Sequence, residues 1–129
     1  MPAGKRIVVT DDNKDGADSL AELLRLKGHE AFVAYNGETA VELVARVRPD
    51  VVLLDILMPG LDGCETARKI RAGPAGQKCL IAAVTGLSRT QLQQRLDVGD
   101  FDFYFMKPVD IRALDDLLAA SPSLERSPS

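Results

Sequence analysis

Val51-Val52-Leu53-Leu54 is apolar at four consecutive positions and is closed by Asp55. A strand with one wet face alternates polar and apolar residues. A run that is apolar throughout is covered on both faces, the mark of a central parallel strand flanked by helices. The chain must therefore supply further strands on each side and helices above and below. Its 129 residues are enough for one domain with a real core. A hydrophobic share of 46% and a charged share of 27% belong to an ordinary soluble globular chain.

The remaining segments fit that demand. Ile7-Val8-Val9-Thr10 reads as a buried strand ended by Asp11-Asp12. A helix follows from about Asp15 to Lys27, with Ala17, Leu20 and Leu24 on one face, Leu23 beside them and Gly28 as its C-terminal cap. Ala31-Phe32-Val33-Ala34 is the second strand, followed by the Asn36-Gly37 turn. Ala40, Leu43, Val44 and Val47 form the stripe of a second amphipathic helix, which Pro49 ends. After Asp55 comes a loop, Met58-Pro59-Gly60-Leu61-Asp62-Gly63, then a helix from about Cys64 to Ala72. Leu80 to Val84 is the fourth strand, Ser88 to Val98 a fourth helix anchored by Leu92 and Leu96, and Phe103 to Met106 the fifth strand. Asp110 caps a last helix bearing Ile111, Leu114, Leu117 and Leu118. Residues 1–120 form one unit, and 121–129 have no apolar period and read as a flexible tail. Five strands alternating with five helices predict an α/β, flavodoxin-like, doubly wound five-stranded parallel sheet of order 2-1-3-4-5.

In that order the first and third strands are central neighbours, so Asp11, Asp12 and Asp55 meet at one sheet edge, with Thr85 and Lys107 beside them. Two unit charges ~4 Å apart repel by ~4 kcal/mol at an effective dielectric of ~20. Three carboxylates in one crevice therefore call for a divalent cation as well as Lys107. Oxygen ligands with open positions suit Mg²⁺ better than Zn²⁺. Such a site is laid out for phosphoryl transfer. Asp55, alone at the tip of the most buried strand, is the candidate nucleophile, with Asp11 and Asp12 as metal ligands. Lys107 and Thr85 would contact the phosphoryl oxygens, and Gly86 leaves room for the incoming group. A lone Asp-Asp pair is usually a solvated turn; four polar strand tips on one parallel sheet outweigh that.

Val8-Val9-Thr10-Asp11-Asp12-Asn13, Leu53-Leu54-Asp55-Ile56-Leu57-Met58-Pro59-Gly60-Leu61-Asp62-Gly63, Val84-Thr85-Gly86 and Lys107-Pro108 occur in order across nearly the whole chain. Together they resemble the receiver domains of two-component signalling proteins. The wording of Gly99-Asp100-Phe101-Asp102 and Lys107-Pro108-Val109-Asp110 is most similar to receivers of hybrid sensor histidine kinases, so a stand-alone receiver and an excised one both remain open. The resemblance implies phosphorylation of Asp55 by a histidine kinase or histidine phosphotransfer protein. It implies direct Mg²⁺ ligation (or Mn²⁺ in its place) by Asp12, Asp55 and the Leu57 backbone carbonyl, with Asp11 acting through water. It further implies a cis Lys107-Pro108 bond and a Thr85–Tyr104 switch that reshapes the face of the fourth helix, fifth strand and last helix. Thr10 and Gly86 depart from the usual apolar residue and Ala at their positions.

Composition narrows the partners. A net charge of −3 offers no basic surface for nucleic acid. The absence of a long apolar stretch leaves no signal peptide, span or direct membrane contact in this sequence, which favours a cytoplasmic location. Cys64 and Cys79 read as free thiols. His29 reads as an exposed turn residue, and Phe101 as partly exposed beside an otherwise core-like aromatic cluster. The downstream partner is undefined and a homodimer is open. The expected role is a signalling switch that catalyses its own phosphotransfer, not a metabolic enzyme; Leu57 and Leu87, unable to orient an attacking water, predict slow dephosphorylation. The rivals are a pure interaction module, a flavoprotein and a phosphatase. Flavin phosphate would be repelled by Asp11-Asp12, and an aspartyl phosphatase would want an acid where Leu57 stands.

Overall fold

The five apolar runs form strands β1 (Arg6–Thr10), β2 (Glu30–Ala34), β3 (Val51–Asp55), β4 (Leu80–Thr85) and β5 (Phe103–Met106). All pair in parallel, in the order β2-β1-β3-β4-β5. The structure is a computed structural model and describes residues 4–58, 60, 62–73, 79–86, 88, 90–91 and 101–120. The helices are α1 (Lys14–Leu26), α2 (Gly37–Val47), α3 (Gly63–Ala72) and the last helix, Ile111–Ala120. The expected fourth helix falls largely outside the described residues, as do Leu87 and the expected tail. Its start is described: Ser88 N–H donates to Gln91 Oε1 at 2.9 Å and Gln91 N–H to Ser88 Oγ at 3.2 Å, a reciprocal capping box.

Side-chain alternation along the strands divides the core in two. Val8, Val52, Leu54, Ile81 and Ala83 pack under α2 and α3, while Ile7, Val9, Val51, Leu53, Ala82 and Val84 pack under α1 and the last helix. β3 is buried at every position, as its uninterrupted apolar run requires. The buried stripe of α1 is Ala17, Ala21 and Leu24; Leu20 only flanks it, because a stripe of small residues lets the helix lie closer to the sheet.

Each helix start has a chemical cause. Asn13, Asn36 and Asp62 accept N–H bonds from Gly16, Thr39 and Glu65, and Asp110 accepts from Arg112. Gly28, at φ +96°, leads out of α1 in a conformation that other residues rarely adopt. At the edge where strands begin, acids replace missing ladder bonds. Buried Asp50 accepts from Arg6 N–H at 2.8 Å, and Asp102 accepts from Ile81 N–H at 2.8 Å.

Two expectations are corrected. His29 is half-buried, and its Nδ1 accepts the Lys5 N–H at 3.0 Å, tying the α1–β2 turn to the segment before β1. Phe101 is buried in the core under α2 and α3, whereas Phe103 and Tyr104 are 43% and 38% exposed. β5 is an edge strand, so its own side chains have a neighbour strand on only one side, while Phe101 precedes it and turns inward.

Thr10 is 2% exposed and its Oγ1 has no hydrogen-bond partner among the described residues. An unsatisfied buried hydroxyl costs about 1–3 kcal/mol. Thr10→Val, of equal shape, is expected to raise unfolding free energy by about 1 kcal/mol, read as a higher urea midpoint at unchanged slope; an equal or lower midpoint refutes it.

Candidate functional site

The β1–β3 register, which sets Thr10 beside Leu54, brings the residues that follow them together at the C-terminal edge of the sheet. Asp11, Asp12 and Asp55 each offer one carboxylate oxygen, all within 4.8 Å of one another. Lys107, directly after β5, donates from Nζ to Asp11 Oδ2 at 2.9 Å and to Asp55 Oδ2 at 3.2 Å. Its backbone is fixed as well: Lys107 N–H donates to the Thr85 carbonyl at 2.8 Å, and the bond to Pro108 is cis as expected.

The other oxygens of the two inner acids are held by backbone. Asp11 Oδ1 accepts Asn13 N–H at 3.0 Å, and Asp55 Oδ1 accepts Leu57 N–H at 3.1 Å. Asp12 is exposed. Thr85 is fully buried at the end of β4. Tyr104 lies on β5 with its ring 5.8 Å from that of Phe101, away from full burial. All four predicted strand ends thus reach one edge; Tyr104 stands apart, midway along β5. Leu57 is 41% exposed.

Two residues that the sequence did not single out shape this edge. Asn13 caps α1 and clamps Asp11; a polar residue just before an amphipathic run was its available signal. Gly63 opens α3 so close to β3 that a Cβ there would overlap the Asp55 carbonyl oxygen and Ile56 Cα. Its N–H donates to the Ile56 carbonyl at 3.0 Å, fixing the loop that carries Leu57. Among the described residues a Cβ at Gly86 would meet nothing within 4 Å, in accord with the open approach expected beside Thr85.

The electrostatics follow from crowding. Burial pushes the Asp55 carboxyl up to about 6, with Asp11 adding to the rise and Lys107 and the Leu57 N–H opposing it. Burial also works against ionised Asp11, but the Lys107 and Asn13 donors overcome it and hold that carboxyl below its ordinary value. Burial would lower Lys107, yet its two acid partners keep its ammonium above the usual range. One ammonium among three carboxylates leaves negative charge uncompensated. A hard, all-oxygen donor set with an exposed member fits Mg²⁺.

Residues 7–119 match the family described as response regulator receiver domain. The chain belongs to that family, whose members are phosphorylation-dependent switches of two-component signalling. It is similar to the response regulator MprA of Mycobacterium sp. (strain KMS), at 38% identity over 127 residues, covering 96% of this chain and 52% of that protein. The chain therefore spans about half the length of the curated relatives it matches. Among solved structures it resembles the receiver domain of sensor histidine kinase PA1611 from Pseudomonas aeruginosa PAO1, with TM-score 0.82, 28% identity, and coverage of 90% of this chain and 95% of that one. That structure holds a magnesium ion coordinated in its active-site cleft. A CheY-like receiver from Methylobacillus flagellatus matches with TM-score 0.78 and 26% identity over 91% of this chain and 98% of that one.

Because Asp55 holds its proton more tightly folded than unfolded, its contribution to folding is lost as pH rises from the ordinary carboxyl value of ~3.9 through about 6. Its side chain is only 7% exposed, so solvent screening is slight. Asp55→Asn is expected to stabilise the protein in chelator at pH 8 by about 1–3 kcal/mol, and by less at pH 4. Urea unfolding of both proteins at both pH values checks this; a variant weaker than wild type at pH 8 refutes it.

Proposed function

We propose that this chain is a receiver whose Asp55 accepts a phosphoryl group from a histidine kinase or histidine phosphotransfer protein. The observation that carries this reading is Lys107 Nζ bridging Asp11 and Asp55 beside Asp12, at the edge where four strand ends converge. One oxygen of Asp55 attacks phosphorus; the new O–P bond forms as the donor's P–N bond breaks, and the electron pair leaves with the donor imidazole. Asp12, Asp55 and the Leu57 carbonyl would hold Mg²⁺, with Asp11 acting through water. Mg²⁺ (or Mn²⁺) supplies charge neutralisation on the phosphoryl oxygens when bound. Lys107 then turns from the acids to a phosphoryl oxygen, and the Thr85 hydroxyl donates to another.

The acyl phosphate adds about one negative charge and new acceptor oxygens, enough to bias a two-state element by roughly 1–3 kcal/mol. Thr85 moves toward the phosphoryl group and the Tyr104 ring turns inward. The face around β5 and the last helix, with the segment between β4 and β5, changes with them. Tyr104 is 38% exposed, so an inward turn would bury ring surface that now faces solvent. The receiver unit spans residues 1–120, with 121–129 a tail, and works in the cytoplasm without contacting nucleic acid or membrane directly. Among the described residues no helix is long and apolar enough to cross a membrane. It is a signalling module, catalytic only in its own phosphotransfer and slow dephosphorylation.

Acetyl phosphate with Mg²⁺ is expected to add one phosphoryl group by intact mass, and none to Asp55→Asn or to wild type in chelator. Equal labelling of the variant would move the acceptor elsewhere. Leu57 presents no polar group for orienting water, so the purified phosphoprotein is expected to decay over minutes or longer; decay within seconds contradicts that part.

A further inference from the structure

Asn13 makes bonds in two directions. Its side-chain Oδ1 accepts the Gly16 N–H at 3.1 Å and its carbonyl accepts the Ala17 N–H at 3.0 Å, locking the first turn of α1. Its own N–H donates to Asp11 Oδ1 at 3.0 Å. The first turn is itself anchored to the end of β2, where Tyr35 donates from its hydroxyl to Asp18 and lies under the Lys14 ammonium, 5.4 Å from the ring centroid. The rotation of the Asp11 carboxylate is thus set from one side by Lys107 and from the other by the helix start.

We infer that Asn13 is a positioning residue for the metal site: by capping α1 it holds its own N–H on Asp11 and fixes the orientation of that carboxylate. The inference rests on the proposed Mg²⁺ role of the acids. Without the Asn13 carboxamide oxygen, the Gly16 N–H loses its acceptor, the backbone at residue 13 is freed from φ −77°, ψ 101°, and its N–H leaves Asp11. Outer-shell partners in metal sites typically contribute about tenfold or more to affinity, and Asp11, acting through water, is such a partner whose orientation Asn13 sets.

Asn13→Ala is therefore expected to weaken Mg²⁺ binding about tenfold by titration calorimetry, with Mn²⁺ resonance as a parallel readout. Asn13→Ser, another good cap, restores it. In an Asp11→Ala background, Asn13→Ala adds nothing, because the two act through one contact. Amide exchange in chelator reads the clamp without metal: the residue-13 amide is protected in wild type and Asn13→Ser, and unprotected in Asp11→Ala and Asn13→Ala. Wild-type affinity in Asn13→Ala, failure of Asn13→Ser to restore binding, or an equal loss in the Asp11→Ala background overturns the inference. A wild type that binds no divalent ion sinks the phosphoacceptor reading instead, and the exchange pattern still decides whether Asn13 clamps Asp11.

Discussion

One ammonium is shared by two carboxylates that lie 96 and 52 residues away along the chain. No local structure can arrange that; it takes the whole sheet. β5 must pair with β4, and β1 with β3, each in its observed register. A slip of one residue between β1 and β3 would send every side chain of the moved strand to the opposite face. The apolar sets under the two helix layers prevent such a slip, because it would exchange Val8 with Val9 between clusters already filled. Core packing thus fixes the register, and the register fixes the acids.

The same edge is where the fold is least favourable to itself. Asp55 is 5% exposed and its carboxyl is pushed up to about 6, so its charged form is disfavoured by its surroundings. Thr10 buries a hydroxyl without a partner among the described residues, one position before the acid pair. Gly63 gives up a side chain so that α3 can close on the end of β3. Local rules are kept along β1 and β3 and broken where they end. That concentration is what a functional edge produces, since the surrounding core stabilises a site that is not optimised for stability.

Strand order, strand content and the converging segments were legible because they rest on strong signals: β-branched runs, an uninterrupted apolar strand, and polar residues at run ends. What pattern alone hid was packing. Ala21 displaced Leu20 from the buried stripe of α1, since helix–sheet distance is decided by the facing layer. Phe101 turned inward and Phe103 outward, because an edge strand's burial depends on what lies beside it. His29 acquired a backbone donor from a segment 24 residues earlier, invisible to any local window. The clamp on Asp11 was hidden for a different reason: it uses the backbone of Asn13, and a sequence advertises side chains.

Acids stand at both ends of these strands, and their position separates their roles. Asp50 precedes β3 and accepts the Arg6 backbone N–H at the start of β1, so it extends the ladder there. Asp55 ends β3, where the ladder has finished and it accepts instead from Leu57 N–H and the shared Lys107. Asp11 is held in the same way, one oxygen by backbone and one by the lysine. Two carboxylates are therefore preorganised while exposed Asp12 keeps freedom to adjust. A cation meeting this set would find Asp55, a direct ligand in the proposed site, and Asp11, which would act through water, already oriented, so less conformational freedom is lost on binding. Among the described residues the cationic group holding those two oxygens belongs to a flexible side chain, so the grip that stabilises the acids is also the one most easily handed to another anion.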